Sequence, residues 1–189
     1  MMALGFLQFT NLLDLVLLPP LAPSVMREFG LDSGGFSLVM TAFSLASLVV
    51  GLGFGLQLDR YERRRLLLAA AAGLALGNLL CALATTFAAL LAARVVAGAC
   101  AGVLSAMGQV YLTDAIPPER RGSALAITSS SYAFAFVLGA PLGLVIANRS
   151  SWHTAYYFAA LLGAAAVALG AVSLPSQRRH LEAGAPAAT

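Results

Sequence analysis

Apolar runs of membrane-crossing length alternate with short polar breaks along this chain. A span through a bilayer needs about 20 mostly apolar residues. Residues 1–26 carry one charge, Asp14, and residues 33–58 carry none. Residues 66–113 also carry one, Arg94. At about 1.5 Å per residue, that stretch as a single helix would measure roughly 70 Å, more than twice the hydrocarbon thickness. It must divide, and Ala84-Thr85-Thr86 is the best turn. Residues 122–148 are uncharged, as are 150–177 apart from His153. The pattern predicts an all-α membrane protein of six transmembrane helices, at about 3–23, 36–58, 66–84, 88–112, 123–147 and 153–174. Residues 1–175 form the expected bundle, and 176–189, Ala- and Pro-rich, an expected disordered cytoplasmic tail or linker.

Composition agrees with lipid as the solvent. The chain is 60% hydrophobic and 10% charged, with mean hydropathy +0.86. A soluble domain normally has about a quarter of its residues charged. Met1 to Pro23 has no basic leading segment, and Asp14 interrupts it, so it reads as a spanning helix rather than a signal peptide. Cys81 and Cys100 lie in apolar runs and read as small buried hydrophobes. The net charge of +3 is carried by arginine, too small an excess to suggest nucleic acid.

The distribution of arginine matters more. Arg60, Arg63, Arg64, Arg65, Arg120, Arg121, Arg178 and Arg179 fall on one side of the predicted spans, Arg27 and Arg149 on the other. The positive-inside rule places the first side, with both chain ends, in the cytoplasm, and the chain in the plasma (inner) membrane.

Polar residues within the spans are the candidate chemistry. A charge at mid-span costs roughly 2.5–3.5 kcal/mol on insertion scales. Asp14 sits mid-span, with Gln8 and Asn11 at three-residue spacing and Thr10 one turn below, so one face of the first helix is expected to line a cavity. Asp14 is a candidate proton carrier there, or a structural residue paired with a neighbouring helix. Arg94 leads a small and polar stripe of Gly98, Gly102, Ser105, Gln109 and Thr113. It is a candidate functional charge, or it snorkels to the outer interface. The glycine pairs Gly51/Gly55, Gly73/Gly77, Gly98/Gly102 and Gly139/Gly143 suit close helix packing. Pro19, Pro20 and Pro141 are expected to kink their helices.

Between the second and third spans the chain reads Gly55-Leu56-Gln57-Leu58-Asp59-Arg60-Tyr61-Glu62-Arg63-Arg64-Arg65. This resembles the major facilitator superfamily, which carries G-x-x-x-D-R/K-x-G-R/K-R/K at that place. Glu62 stands where the family usually has Gly. Asp14 through Pro23 looks like the first helix of the family's proton-linked drug and sugar exporters. Arg94 with Gly98 and Gly102 looks like the fourth-helix motif, and Asp114 with Pro117 to Gly122 like the following loop. Gly139-Ala140-Pro141-Leu142-Gly143 is similar to a loose form of the fifth-helix motif, and Ser151-Trp152-His153 to the entry of the sixth.

The resemblance covers nearly the whole chain but only the N-terminal half of a family member. It implies a 3+3 inverted repeat, one half of the major facilitator fold. It also implies a cytoplasmic gating latch of Gly55, Asp59, Arg60, Arg63, Arg64 and Asp114. Asp14, Arg94, Asn11, Gln8 and Gln109 would serve proton coupling or the cavity.

Proton-coupled efflux of a small organic solute by alternating access is the expected function. The proton gradient would supply the energy, with no cofactor and no metal. Partners would be the bilayer, the solute and a second six-helix half: a homodimer copy, a separate chain or a missing C-terminal half. A non-transporting membrane subunit or scaffold is the alternative. An intramembrane enzyme fits worst, because neither a G-x-S-x serine context nor H-E-x-x-H occurs.

Overall fold

The computed structural model describes residues 2–55, 62–115, 122, 126, 129–130 and 133–174, excluding the side chains of 112–115, 140, 147 and 148. Four long helices come first: α1 (Met2–Phe29), α2 (Ser33–Gly55), α3 (Arg63–Ala82) and α4 (Phe87–Ala115). A π turn, Ala135–Gly139, leads directly into α5 (Ala140–Arg149), and α6 (Trp152–Ser173) closes the bundle. Helices α1, α2, α3 and α6, and α4 as far as Tyr111, are long and apolar enough to cross a membrane. The segment Ala135–Ile146 is a shorter apolar helix. The remainder of the fifth expected span, the ends of 36–58, and the tail 176–189 lie outside the described residues.

Local sequence explains where the helices start and stop. α1 runs past its expected end at residue 23, with Pro19, Pro20 and Pro23 inside it. A membrane helix tolerates proline where neighbouring helices re-satisfy the freed backbone groups. It ends at Gly30, whose φ of +61° is the left-handed geometry glycine adopts at no steric cost. The Leu31 N–H then donates to the Met26 carbonyl at 2.9 Å. Asp32 caps α2 by accepting the Gly35 N–H at 2.7 Å, and Thr86 caps α4 by accepting the Ala89 N–H at 3.2 Å. The α3–α4 turn falls at Leu83–Thr86. The π turn has a sequence cause: Pro141 has no N–H for the carbonyl of Val137, one turn earlier and inside the π segment.

Helix α1 touches every other described helix and is the axis of the bundle. The contacts are those of a repeat. Exchanging α1–α3 with α4–α6 turns α2-on-α4 into α5-on-α1, and α3-on-α4 into α6-on-α1; all four are observed. The pairs α3–α6 and α1–α4 map onto themselves. Three crossings per triplet invert the second triplet relative to the first, so this is a 3+3 inverted repeat.

Glycine sets the closest approaches. A Cβ at Gly98 would lie 2.2 Å from the Phe43 carbonyl oxygen, and one at Gly102 would lie 2.1 Å from that of Ser47. α2 and α4 therefore meet backbone to backbone. Gly139 and Gly143 accept Leu13 and Leu17 of α1 in the same manner. Among the described residues nothing lies within 4 Å of a Cβ at Gly55, and the Gly51/Gly55 pair packs through Gly51, against Gly102.

Two apolar clusters fill the interior. One gathers Leu4, Leu7, Leu67, Leu74, Leu104 and Met107; the other gathers Leu18, Leu21, Val25, Cys81, Leu90 and Trp152. Leu38, Leu45, Leu48, Val49 and Leu52 of α2 point outward, an apolar exterior suited to lipid or another helical surface.

Candidate functional site

The gap between the two apolar clusters holds Asp14 and Arg94, the charges set deep within the described spans. On α1 the first cluster ends at Leu7 and the second begins at Leu17, and Asp14 lies between. On α4 the second ends at Ala93 and the first resumes at Ala97, and Arg94 lies between. Arg94 Nη1 donates to both carboxylate oxygens of Asp14, at 3.0 and 3.2 Å. Both side chains are 0% exposed.

That burial excludes snorkelling for Arg94. The Asp14 carboxylate is likewise buried, paired with a neighbouring helix. An apolar pocket of about 540 Å³ lies elsewhere, lined by Met2, Phe6, Phe9, Phe134, Leu138 and Leu169 with Gly5.

Two aromatic residues flank the guanidinium, and the Cys81 thiol of α3 lies near it. The Phe43 ring of α2 lies 4.3 Å from Arg94 Cζ, a cation–π distance. Tyr156 of α6 lies with its ring 5.9 Å away and its hydroxyl oxygen 3.4 Å from Nη1. Arg94 thus joins four helices at one point: α4, α1, α2 and α6. Its Nε and Nη2 are buried without a hydrogen-bond partner among the described residues. Such unspent donors suit a site whose pairing changes.

The remaining polar residues of α1 divide. Asn11 Nδ2 donates to the Ser105 hydroxyl on α4 at 2.8 Å, extending the polar seam. Thr10 turns back to the Leu7 carbonyl of its own helix at 2.9 Å. Gln8 is buried against Gly108, where an added Cβ would fall 1.6 Å from its Nε2, and its amide has no partner among the described residues. Gln109 is exposed on α4 and does not join the seam.

Part of the expected latch falls outside the described residues. Asp59 and Arg60, and the side chain of Asp114, lie outside the described residues. Arg63 opens α3. Arg64 Nη2 donates to the Ala171 carbonyl of α6, and Arg65 pairs with Glu62 at 2.7 Å on the surface.

Phe43 and Tyr156 escaped sequence reasoning. The one signal pointing to them is the cost of a lone intramembrane arginine, which demands partners on adjacent helices.

An inverted-repeat bundle around a buried intramembrane ion pair defines a membrane-transporter type of fold. The family model described as Major Facilitator Superfamily matches residues 4–189, and the chain belongs to that family. It is 30% identical over 155 residues to the multidrug resistance protein fnx1 of Schizosaccharomyces pombe, covering 82% of this chain and 29% of that protein. It is 27% identical over 180 residues to the multidrug export protein EmrB of Haemophilus influenzae, covering 95% of this chain and 35% of that one. The chain thus spans about a third of the length of these relatives. A bacterial homologue of the human lysosomal transporter Spinster, inward-facing and occupied, shares the fold with a TM-score of 0.85 at 17% identity, over 93% of this chain and 43% of that one. The human organic anion transporter MFSD10 gives 0.77 at 22% identity, over 93% and 47%. The fold is therefore half of a major facilitator fold, a multi-pass membrane architecture and not that of an enzyme class.

Proposed function

We propose that this chain forms one half of a proton-coupled exporter of small organic solutes, with the Asp14–Arg94 pair as its proton switch. The carrying observation is the fully buried ion pair at the junction of α1, α2, α4 and α6. Multidrug names among the relatives support the substrate class.

The chemistry follows from the pair. While ionised, Asp14 cancels the Arg94 charge and ties α1 to α4. Taking a proton, Asp14 becomes a neutral acid and that Coulombic tie is lost. Arg94 cannot lose its proton, and its charge is then held by the Phe43 ring and the Tyr156 oxygen. Protonation thereby shifts the load from α1 toward α2 and α6 and biases how the bundle rocks.

A second six-helix bundle faces this one to enclose the solute, supplied by another copy, another chain or a further segment. Asp59, Arg63 and Asp114 form the cytoplasmic latch between the halves. The chain ends lie in the cytoplasm and the protein in the inner membrane, from the arginine bias of the loops.

The test uses inside-out membrane vesicles from cells expressing the chain, with ethidium as solute and an imposed pH gradient. Gradient-driven ethidium uptake is expected, and its loss in Asp14→Asn. Absence of gradient-driven uptake in the wild type, or wild-type flux in Asp14→Asn, overturns the proposal.

A further inference from the structure

At the bundle end opposite the arginine-rich α2–α3 loop, three helices meet at a cluster that transport does not explain. α1 contributes Glu28, α6 contributes Trp152 and His153, and α3 contributes the Ala82 carbonyl at its last turn. Trp152 Nε1 donates to Glu28 Oε2 at 2.6 Å. His153 Nε2 lies 3.0 Å from Glu28 Oε1, and its Nδ1 lies 2.9 Å from the Ala82 oxygen. The Trp152 and His153 rings stack, with centroids 3.8 Å apart.

Counting hydrogens decides what this geometry holds. A carbonyl oxygen only accepts, and so does a carboxylate. Both ring nitrogens of His153 face acceptors. A neutral imidazole has one N–H and can make only one of the two bonds. Making both needs one further proton, on the imidazole or on the Glu28 carboxyl. The closed arrangement is therefore the protonated one.

We infer that Glu28, His153 and Trp152 form a proton-binding site, separate from Asp14, that fastens α6 to both α1 and α3. Losing the proton costs one tie. If Nδ1 keeps its hydrogen, the α6–α3 bond stays and a lone pair confronts the Glu28 carboxylate. If Nε2 keeps it, the bond to Glu28 stays and the Ala82 carbonyl is abandoned.

The surroundings leave Glu28 as the deciding partner. α1 also brings Arg27, and α5 brings Arg149; neither makes an ion pair among the described residues. The Asp32 carboxylate, in the turn after α1, is occupied by the Gly35 N–H. α3 contributes no charge at this end, only the buried Cys81 thiol beside Ala82. On α6 itself, Tyr156 points to Arg94. The site is open to water: the His153 side chain is 25% exposed and that of Glu28 is 44% exposed. Asp14, fully sealed, cannot exchange with this solvent directly.

Trp152 is the only tryptophan in the chain, so its fluorescence reads the site without a substrate. The purified chain in lipid nanodiscs is titrated between about pH 5 and 8. A single-proton step in Trp152 emission is expected. His153→Arg carries its donors at every pH and should abolish the step. In Glu28→Gln the amide can donate to a neutral His153, which then makes both bonds with no extra proton, so the step should move to lower pH. A wild-type emission that does not titrate overturns the assignment. So does a step that survives His153→Arg, or one left at the same pH by Glu28→Gln.

Discussion

Replacing Asp14 by leucine tests the ion pair through its asymmetry. Arg94 is 0% exposed, and one of its nitrogens, Nη1, makes both bonds to Asp14. Removing one partner of a buried pair costs about 3–5 kcal/mol, because the other charge stays behind uncompensated. In Asp14→Leu that charge is a guanidinium, which cannot lose its proton. The Phe43 ring and the Tyr156 oxygen remain to it, with the neutral Cys81 thiol nearby. The cost near neutral pH should therefore fall within that range, and the variant's own stability should carry no pH dependence from this site.

Arg94→Leu differs. The orphaned Asp14 carboxylate can take a proton and become neutral. The variant's folded state then holds a proton that its unfolded state has released, so its stability falls as pH rises, by up to about 1.4 kcal/mol per unit. Near neutral pH or below, it should cost less than Asp14→Leu. The double variant leaves no orphan and should recover most of the loss, since apolar replacement of a whole buried pair is often neutral. The assay is unfolding free energy in mixed micelles at several pH values, read as a double-mutant cycle. Losses that simply add in the double variant, or an Arg94→Leu cost indifferent to pH, would refute the reasoning.

Three further outcomes follow from packing and hydrogen bonding. Gly98→Val or Gly102→Val should lower stability by roughly 1–3 kcal/mol or more by prising α2 from α4, while Gly55→Ala, whose added Cβ no described residue meets, should leave the thermal midpoint in detergent unchanged. Asn11→Ala should cost about 0.6–1.7 kcal/mol by deleting the α1–α4 hydrogen bond, and Ser105→Ala should add little on top of it in the same micelle assay. Ser151→Ala should cost about 1 kcal/mol by removing the α6 cap, which accepts the Thr154 N–H, and hydrogen exchange should quicken in the first turn of α6.

The sequence made the membrane layout legible because apolar run length has one physical reading. It made Asp14 and Arg94 legible because a charge inside such a run is conspicuous. It did not reveal that they face each other, since spacing on one helix says nothing about the rotation of its neighbour. Phe43 and Tyr156 were invisible for a related reason: with 10 Phe and 5 Tyr in the chain, an aromatic residue in a span carries no signal until an arginine is placed beside it. Gln109 shows the opposite failure. It shares a spacing with Gly98, Gly102 and Ser105, yet it is exposed, because periodicity groups residues on a face without saying how far a neighbour covers it. Nothing in the sequence singles out Glu28, and only the fold brings Trp152 and His153 to it across 124 and 125 residues of sequence.

The switch itself is most directly read by pH-difference infrared spectroscopy of the chain in lipid. Acidification should raise a protonated-carboxyl C=O band that is absent in Asp14→Asn and persists in Glu28→Gln. A spectrum in which the band is unchanged by Asp14→Asn, or in which Asp14 remains a carboxylate at every pH the bundle survives, would contradict a proton switch at Asp14 and Arg94.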